Sequence, residues 1–505
     1  MTKTKKVLRS HRTNNKSIRK GNPERSSKTA AFSAIKHKDG WVRIKVEGEP
    51  YDRGVKHGTL LSSMFPRMFE VLGFGLQKDY GHDIDFFLSV CNDIYKPIIH
   101  RNYPEFLEEM RGIADGAGVS LNHIILVNIF YGLDVFYPHL KNIINSRTTY
   151  LSSSIKQKYK RLLKDDDSNN NNNSNSNGNS NSNSNSNSNS RKKEVNDRCS
   201  LIMAVGPDWT SDGKIVFAHN TMSSFLSGQF YNVIIDVTPP LGKGNRMIYQ
   251  GLPGAIFAAD FFINSAGFIG ANTTIANFTS FEHHDPIGLR IRQCMQYAKS
   301  LEEYDTILRN RNSGDYASSW MFGDTVNNRI MRIELGVKYI NTEYTENGYF
   351  VGFNSTYDER IRKNECGNHK NGDFDNIKTS IGNRRHRLEE LMEKYKGSID
   401  RENAKKIITD HYDTYGKKTR PNHRTICNHA FTDGTAPRPY QPSGSYDAKV
   451  ADAQMIQRME FQGRWGIPCG ATFDAATFSR KHKQWREWGN HIRGLNTTRP
   501  WSIIR

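Results

Sequence analysis

Cysteine is scarce in this chain: six among 505 residues. Cys91, Cys199, Cys294, Cys366, Cys427 and Cys469 are scattered without C-x-x-C spacing. That pattern argues against both a dense disulfide framework and a zinc site, so no metal is expected. Long apolar runs are missing too. No uncharged apolar stretch reaches the roughly 18 residues a membrane-spanning helix needs, and residues 1–30 hold no apolar run of the kind a secretory signal carries behind its basic start. The expectation is a chain without a transmembrane segment, cytoplasmic or packaged in a particle rather than secreted. Acidic residues are outnumbered, 52 against 71 Lys and Arg, for a formal charge of +19. Collagen, coiled coil and full-length disorder do not fit 505 residues of which 36% are hydrophobic.

The charge is not spread evenly. Residues 1–40 hold twelve Lys or Arg and two acidic residues, so +10 of the +19 lies there. Such a tail binds polyanions weakly, but it has neither interleaved aromatics nor a nucleic-acid-binding motif. Four segments follow from composition: a disordered basic tail, 1–39; a mainly helical part, 40–155; a linker, 156–198, whose centre is an almost pure Asn/Ser run that cannot bury apolar area; and a strand-rich part, 199–505. Tail and linker explain much of the mean hydropathy of -0.70.

Residues 41–46 alternate apolar and polar as a half-buried strand does. A helix is predicted from Pro104 to the glycines ending at Gly118. Beyond the linker, strands are predicted at 199–205, 214–219, 231–237, 246–250, 319–323, 329–335 and 348–353. Helices are predicted near 289–298, 301–309, 384–396 and 402–409. Antiparallel sheets covered by helices, an α+β fold, fit this order.

Cys199 stands where the linker ends and an apolar strand begins. Cleavage of the Arg198–Cys199 bond would make Cys199 an N-terminus carrying thiol and α-amine on one residue. An α-amine has a reference pKa of about 7.7–8.0 and a thiol about 8.5. The amine is therefore a suitable base for its own side chain, and attack of the thiol on the Arg198 carbonyl would make the cut autocatalytic.

Cys199-Ser200-Leu201-Ile202 followed by Val216-Phe217-Ala218-His219-Asn220-Thr221 resembles the start of the mature large subunit of the phospholipase B-like (lamina ancestor) proteins. The likeness continues in Pro253-Gly254-Ala255-Ile256, Asp260-Phe261-Phe262, Asn272-Thr273-Thr274, Asn312-Ser313-Gly314-Asp315-Tyr316, Gly348-Tyr349-Phe350 with Asn354, and Tyr446-Asp447-Ala448-Lys449-Val450. It departs from that family at Met222, where a Trp is usual. Gly48 to Gly58, Arg111 to Gly118 and Arg464 to Gly470 resemble instead the isopenicillin N acyltransferase-like autoproteolytic family.

Both resemblances imply the N-terminal-nucleophile hydrolase fold, an αββα sandwich, and self-cleavage before a cysteine. They imply a site of Cys199 as nucleophile, His219, Asn272, Asn354 as oxyanion donor, and Arg384, with either Arg384 or Arg385 facing inward. No cofactor is called for. The implied activity is hydrolysis of ester or amide bonds in an acylated small-molecule or lipid substrate, with phospholipid deacylation foremost and the two fragments remaining associated. An acyltransferase or amidase of the isopenicillin N type, and a non-catalytic processed structural protein with a polyanion-binding tail, are the alternative readings.

Overall fold

The computed structural model describes residues 35–146, 151–171, 199–367, 372–496 and 500–505. The basic tail up to residue 34, the Asn/Ser tract beyond Asn171 and Arg198 lie outside the described residues. In chain order the strands are β1 (Ile35–Lys38), β2 (Trp41–Glu47), β3 (Ser200–Val205), β4 (Val216–Ser224), β5 (Val233–Thr238), β6 (Met247–Gly251), β7 (Phe261–Asn264), β8 (Phe268–Thr274), β9 (Ser318–Asp324), β10 (Arg329–Leu335), β11 (Ile340–Thr345), β12 (Gly348–Gly352), β13 (Tyr412–Asp413), β14 (Lys418–Thr419), β15 (Ser443–Asp452), β16 (Phe461–Trp465) and β17 (Ser502–Ile504).

Among the described residues one sheet has nine strands in the order β1-β2-β5-β6-β7-β8-β9-β10-β11; a second has six, β12-β3-β4-β15-β16-β17; β13 and β14 form a small pair. Among the named strands pairing is antiparallel except between β2 and β5, which run parallel, correcting the all-antiparallel expectation. This pair also joins a strand from before the Asn/Ser tract to one from after it.

Two strands show how side-chain alternation divides the core. All of β3 is buried. Leu201, Met203 and Val205 join the main apolar cluster. Ile202 and Ala204 point the other way, into a cluster with Leu388, Leu391, Met392, Ile407 and Ile408 from the helices Ser380–Lys394 and Arg401–Ile408, as a period of two requires. In β7, the Phe261 ring lies 5.5 Å from Phe217 and 4.8 Å from Phe461 of the six-stranded sheet. The next residue, Phe262, stacks 6.2 Å from Tyr304 on the helix Leu301–Arg309. Helices and sheets are thus mixed in one packed chain.

The glycines quoted above for their family likeness have a packing role. A Cβ on Gly54 would sit 2.2 Å from the Glu109 carbonyl oxygen, on Gly58 2.1 Å from that of Ile113, on Gly112 2.1 Å from that of Tyr51, and on Gly116 2.1 Å from that of Val55. The helices Pro50–Leu61 and Pro104–Ala117 therefore touch backbone to backbone. Their contact buries Arg53, whose Nε donates to Glu109 at 2.8 Å. Arg292 donates to the same carboxylate at 2.7 Å. Breaking such a buried cluster by removing one member typically costs about 3–5 kcal/mol.

Two boundaries differ from the sequence reading. Ile35–Lys38, placed in the tail by composition, is a strand that pairs with β2. The linker does not start at residue 156: Ser153–Asn171 is helical, anchored by buried Tyr159 and Leu163, with the Tyr159 hydroxyl donating to Asp93 at 3.1 Å.

Candidate active site

Cys199 directly precedes β3. Ser200 pairs with Asn220 and Leu201 with Gly352, so one step further Cys199 lies opposite Thr221 on one side and Asn354 on the other. It is buried, 2% exposed, and its backbone is held at both polar atoms. The Cys199 N–H donates to Asn354 Oδ1 at 2.7 Å, and its carbonyl accepts from Arg384 Nη1.

Asn354 takes up this place because its backbone is left-handed, with φ 67°. Asn tolerates that conformation better than most residues. Its Nδ2 donates to the Thr274 carbonyl at 3.1 Å and its own carbonyl accepts from Ala276 N at 3.2 Å. The residue ties the end of β12 to the end of β8.

Arg384 rises from the first turns of the helix Ser380–Lys394. Besides Cys199 it donates to Asn354 Oδ1 at 2.9 Å, the Phe353 carbonyl at 3.0 Å, and the Ser200 and Ser380 hydroxyls at 3.2 Å each. A planar fork serving several acceptors is what guanidinium provides and lysine does not. Arg385 points elsewhere, to Glu389 at 2.8 Å and Asp375 at 2.6 Å, so Arg384 is the arginine beside Cys199.

His219 and Asn272 sit deeper between the sheets. His219 Nε2 lies 3.2 Å from the Asn272 carbonyl. Burial, and then the charge of Lys449 opposite it, push the imidazole well below its usual pKa and keep it neutral. β4 runs on to Ser224, so His219 lies within the strand rather than at its end as the sequence suggested. Asn272 Nδ2 donates to the Ala259 carbonyl. The Asn354 Nδ2 donates one hydrogen bond to Thr274 and the Asn272 Nδ2 one to Ala259, while the Asn354 side-chain oxygen holds the Cys199 nitrogen.

Sequence reasoning missed a buried polar network beside this group. Lys449 Nζ donates to Asp447 at 2.7 Å, to the Thr221 hydroxyl at 2.7 Å and to Gln250 at 2.8 Å. Asp447 also accepts from Thr221 N at 3.1 Å and from Gln250 at 2.6 Å. The signal was present in Tyr446–Val450: two opposite charges at alternate positions of an otherwise apolar strand.

A cavity of about 80 Å³ opens past the end of β4, between Ser223, Ser224, Leu72, Tyr131, Asp134 and Trp488. Thr221, opposite Cys199, is two residues away along β4. Tyr131 stands 5.8 Å from the Tyr231 ring, which is 5.9 Å from Tyr446. Burial, and then the charges of Asp260 and Asp447, raise the Tyr446 phenol well above its usual pKa, with Cys199 among the smaller contributors. Three aromatic rings, Tyr131, Tyr231 and Tyr446, thus follow one another from the cavity wall inward.

The reading of the cysteines as too dispersed for a metal site rested on spacing along the chain. The fold corrects its premise: His411, Cys427, His429 and Cys469 bring one ligand atom each to within 4.8 Å of one another.

No family model matches the sequence, and no curated protein matches it. Among solved structures, the chain is similar to penicillin V acylase from Agrobacterium tumefaciens, with a TM-score of 0.33 and 11% identity, over 53% of this chain and 83% of that one.

Proposed function

We propose that the chain is an N-terminal-cysteine hydrolase of acylated substrates, formed by cleavage at Arg198–Cys199 and built on an αββα sandwich. The observation that carries this reading is the grip on Cys199: an acceptor at its nitrogen and a guanidinium at its carbonyl, on a residue that opens a rigid, fully buried strand. Any buried backbone N–H and C=O must be paired, but here side chains from two other segments supply both partners. The opposed facing of Phe261 and Phe262 supports the sandwich.

Maturation begins when the Cys199 thiolate adds to the Arg198 carbonyl carbon. The C–N bond then breaks, the nitrogen takes the proton, and a thioester and a free α-amine result. Water hydrolyses the thioester, leaving a carboxylate on Arg198 and the thiol on Cys199. In turnover the α-amine accepts the thiol proton, the thiolate adds to the substrate carbonyl, and the resulting ammonium protonates the departing amine or alcohol. Water, deprotonated by the same amine, releases the acid. Asn354 Oδ1 orients the nitrogen. Arg384 holds the Cys199 carbonyl. The cavity past β4, apolar along its wall and polar at Ser223, Ser224 and Asp134, suits an acyl chain with a polar head, and lipid acyl groups are the leading substrate class.

Incubation of processed protein with lysophospholipids, N-acyl amino acids and N-acyl ethanolamines tests this. Free fatty acid, and an acyl adduct on the fragment beginning at Cys199, are expected. Absence of both with every donor would overturn the hydrolase reading.

A further inference from the structure

We propose that His411, Cys427, His429 and Cys469 form a structural zinc site. The four donors come from three places in the chain. His411 follows the helix Arg401–Ile408, Cys427 and His429 lie in the segment leading to β15, and Cys469 lies in the turn after β16. Local backbone bonds fix the first three: Arg420 N donates to the His411 carbonyl at 3.0 Å, Cys427 N to Asp410 at 3.1 Å, and His429 N to Asn422 at 3.0 Å. Gly470 N closes the turn carrying Cys469 onto Ile467 at 2.9 Å.

The three spacings from His429 match the edges of a tetrahedron around a metal, and all four ligand atoms lie within 4.8 Å of one another. His429 Nε2 lies 3.3 Å from His411 Nε2, 3.6 Å from Cys427 Sγ and 3.4 Å from Cys469 Sγ. A zinc ion with Zn–N of about 2.0–2.1 Å and Zn–S of about 2.3 Å sets ligand edges of roughly 3.3 Å for N···N and roughly 3.6 Å for N···S. Hydrogen bonding does not explain the convergence as well. One imidazole nitrogen has either a single proton or a single lone pair, yet three donors crowd around this one. A cation at the centre engages all four donors at once, and two thiolates with two neutral imidazoles balance a divalent charge. Two sulfurs and two nitrogens in tetrahedral array select zinc over the harder divalent ions. With all four positions filled by protein, no position remains for substrate, so the site is structural.

The site would brace the segment that reaches the candidate nucleophile. The carbonyls of Ile408 and Ile426, in the same stretch of chain, accept from Asn220 Nδ2 at 3.0 and 2.9 Å. Asn220 Oδ1 in turn accepts from Ser200 N at 3.0 Å. The zinc site itself stands whether or not Cys199 is catalytic.

Elemental analysis of the full-length protein purified under reducing conditions should find about one zinc per chain. Cys469→Ser and His411→Ala should lose most of it, while Cys366→Ser, a cysteine outside the cluster, should keep it. Cobalt-substituted wild type should show the visible bands and thiolate charge transfer of a tetrahedral two-sulfur site. Should the ligand variants fail to fold, X-ray absorption on the wild type decides, with two sulfur and two nitrogen neighbours expected at about 2.3 and 2.0 Å. Folded wild type without metal, a Cys427–Cys469 disulfide, or zinc that survives Cys469→Ser would overturn the proposal.

Discussion

The backbone contact between the helices Pro50–Leu61 and Pro104–Ala117 makes one substitution behave oppositely at two glycines. In Gly112→Ala, the new methyl lies 2.1 Å from the Tyr51 carbonyl oxygen and 2.9 Å from Val55 N, and ordinary contact begins at about 3.4 Å. Both neighbours are backbone, so the helices must part by roughly 1 Å. A gap of that size forfeits about a quarter to a half of each dispersion contact across the seam, and it stretches the Arg53 bonds to Glu109. Overpacking of this kind costs about 1–3 kcal/mol, with the buried ion cluster adding to it, while alanine in a helix returns up to about 1 kcal/mol. A net loss of about 2 kcal/mol is expected. In Gly73→Ala, within the helix Phe65–Tyr80, the methyl meets only Ile84 Cβ at 3.7 Å. There the propensity gain stands alone, and stability should rise by about 0.5–1 kcal/mol. Urea unfolding followed by tryptophan fluorescence measures both. Gly112→Ala as stable as wild type, or both variants shifting in the same direction, would refute the close-packed seam.

Two further outcomes are expected. His57 Nε2 accepts the Gly254 N–H at 3.1 Å, and burial lowers its pKa to about 4; the folded state holds it neutral while the unfolded chain takes up a proton below about pH 6.5. Stability should therefore fall as pH drops from 6.5 to 4, by up to about 3 kcal/mol from this residue, and urea titrations of His57→Gln should lack that component of the slope. Asn354→Ala removes the acceptor that holds the Cys199 nitrogen, and misplacing a reacting group by about 1 Å can cost about a hundredfold in rate. Self-cleavage should slow by that order while circular dichroism stays unchanged; cleavage at the wild-type rate would show that the contact is not used.

The sequence made local structure legible where end signals and apolar runs agree. The helix from Pro104 stops at Gly118, whose φ of 69° is left-handed, and β3 shows itself as an unbroken apolar run. It was silent where buried polarity is satisfied by distant partners. Asp447 and Lys449 lie fully buried in β15, and nothing local announces that Gln250 and Thr221 complete their network. The helix Ser153–Asn171 is too polar to stand out, and Tyr159 and Leu163 anchor it through tertiary contact alone. At the site, resemblance selected Cys199, Asn354 and Arg384, which the fold brings into contact. The oxyanion role that the resemblance implies for Asn354 did not foresee that its side-chain oxygen accepts from the cysteine nitrogen, on a residue with a left-handed backbone. The four candidate zinc donors belong to segments that only the sheet order brings together.

The central claim is that the Arg198–Cys199 bond is cut by Cys199 itself. The most direct measurement is N-terminal sequencing of the purified wild type and of Cys199→Ala, with size-exclusion chromatography of the products. Two fragments are expected from the wild type, the larger beginning at Cys199. They should elute together, because β2 and β5, from either side of the cut, share six paired positions. Cys199→Ala should remain one chain. A folded wild type that stays intact, or a cut that persists in Cys199→Ala, would contradict the claim.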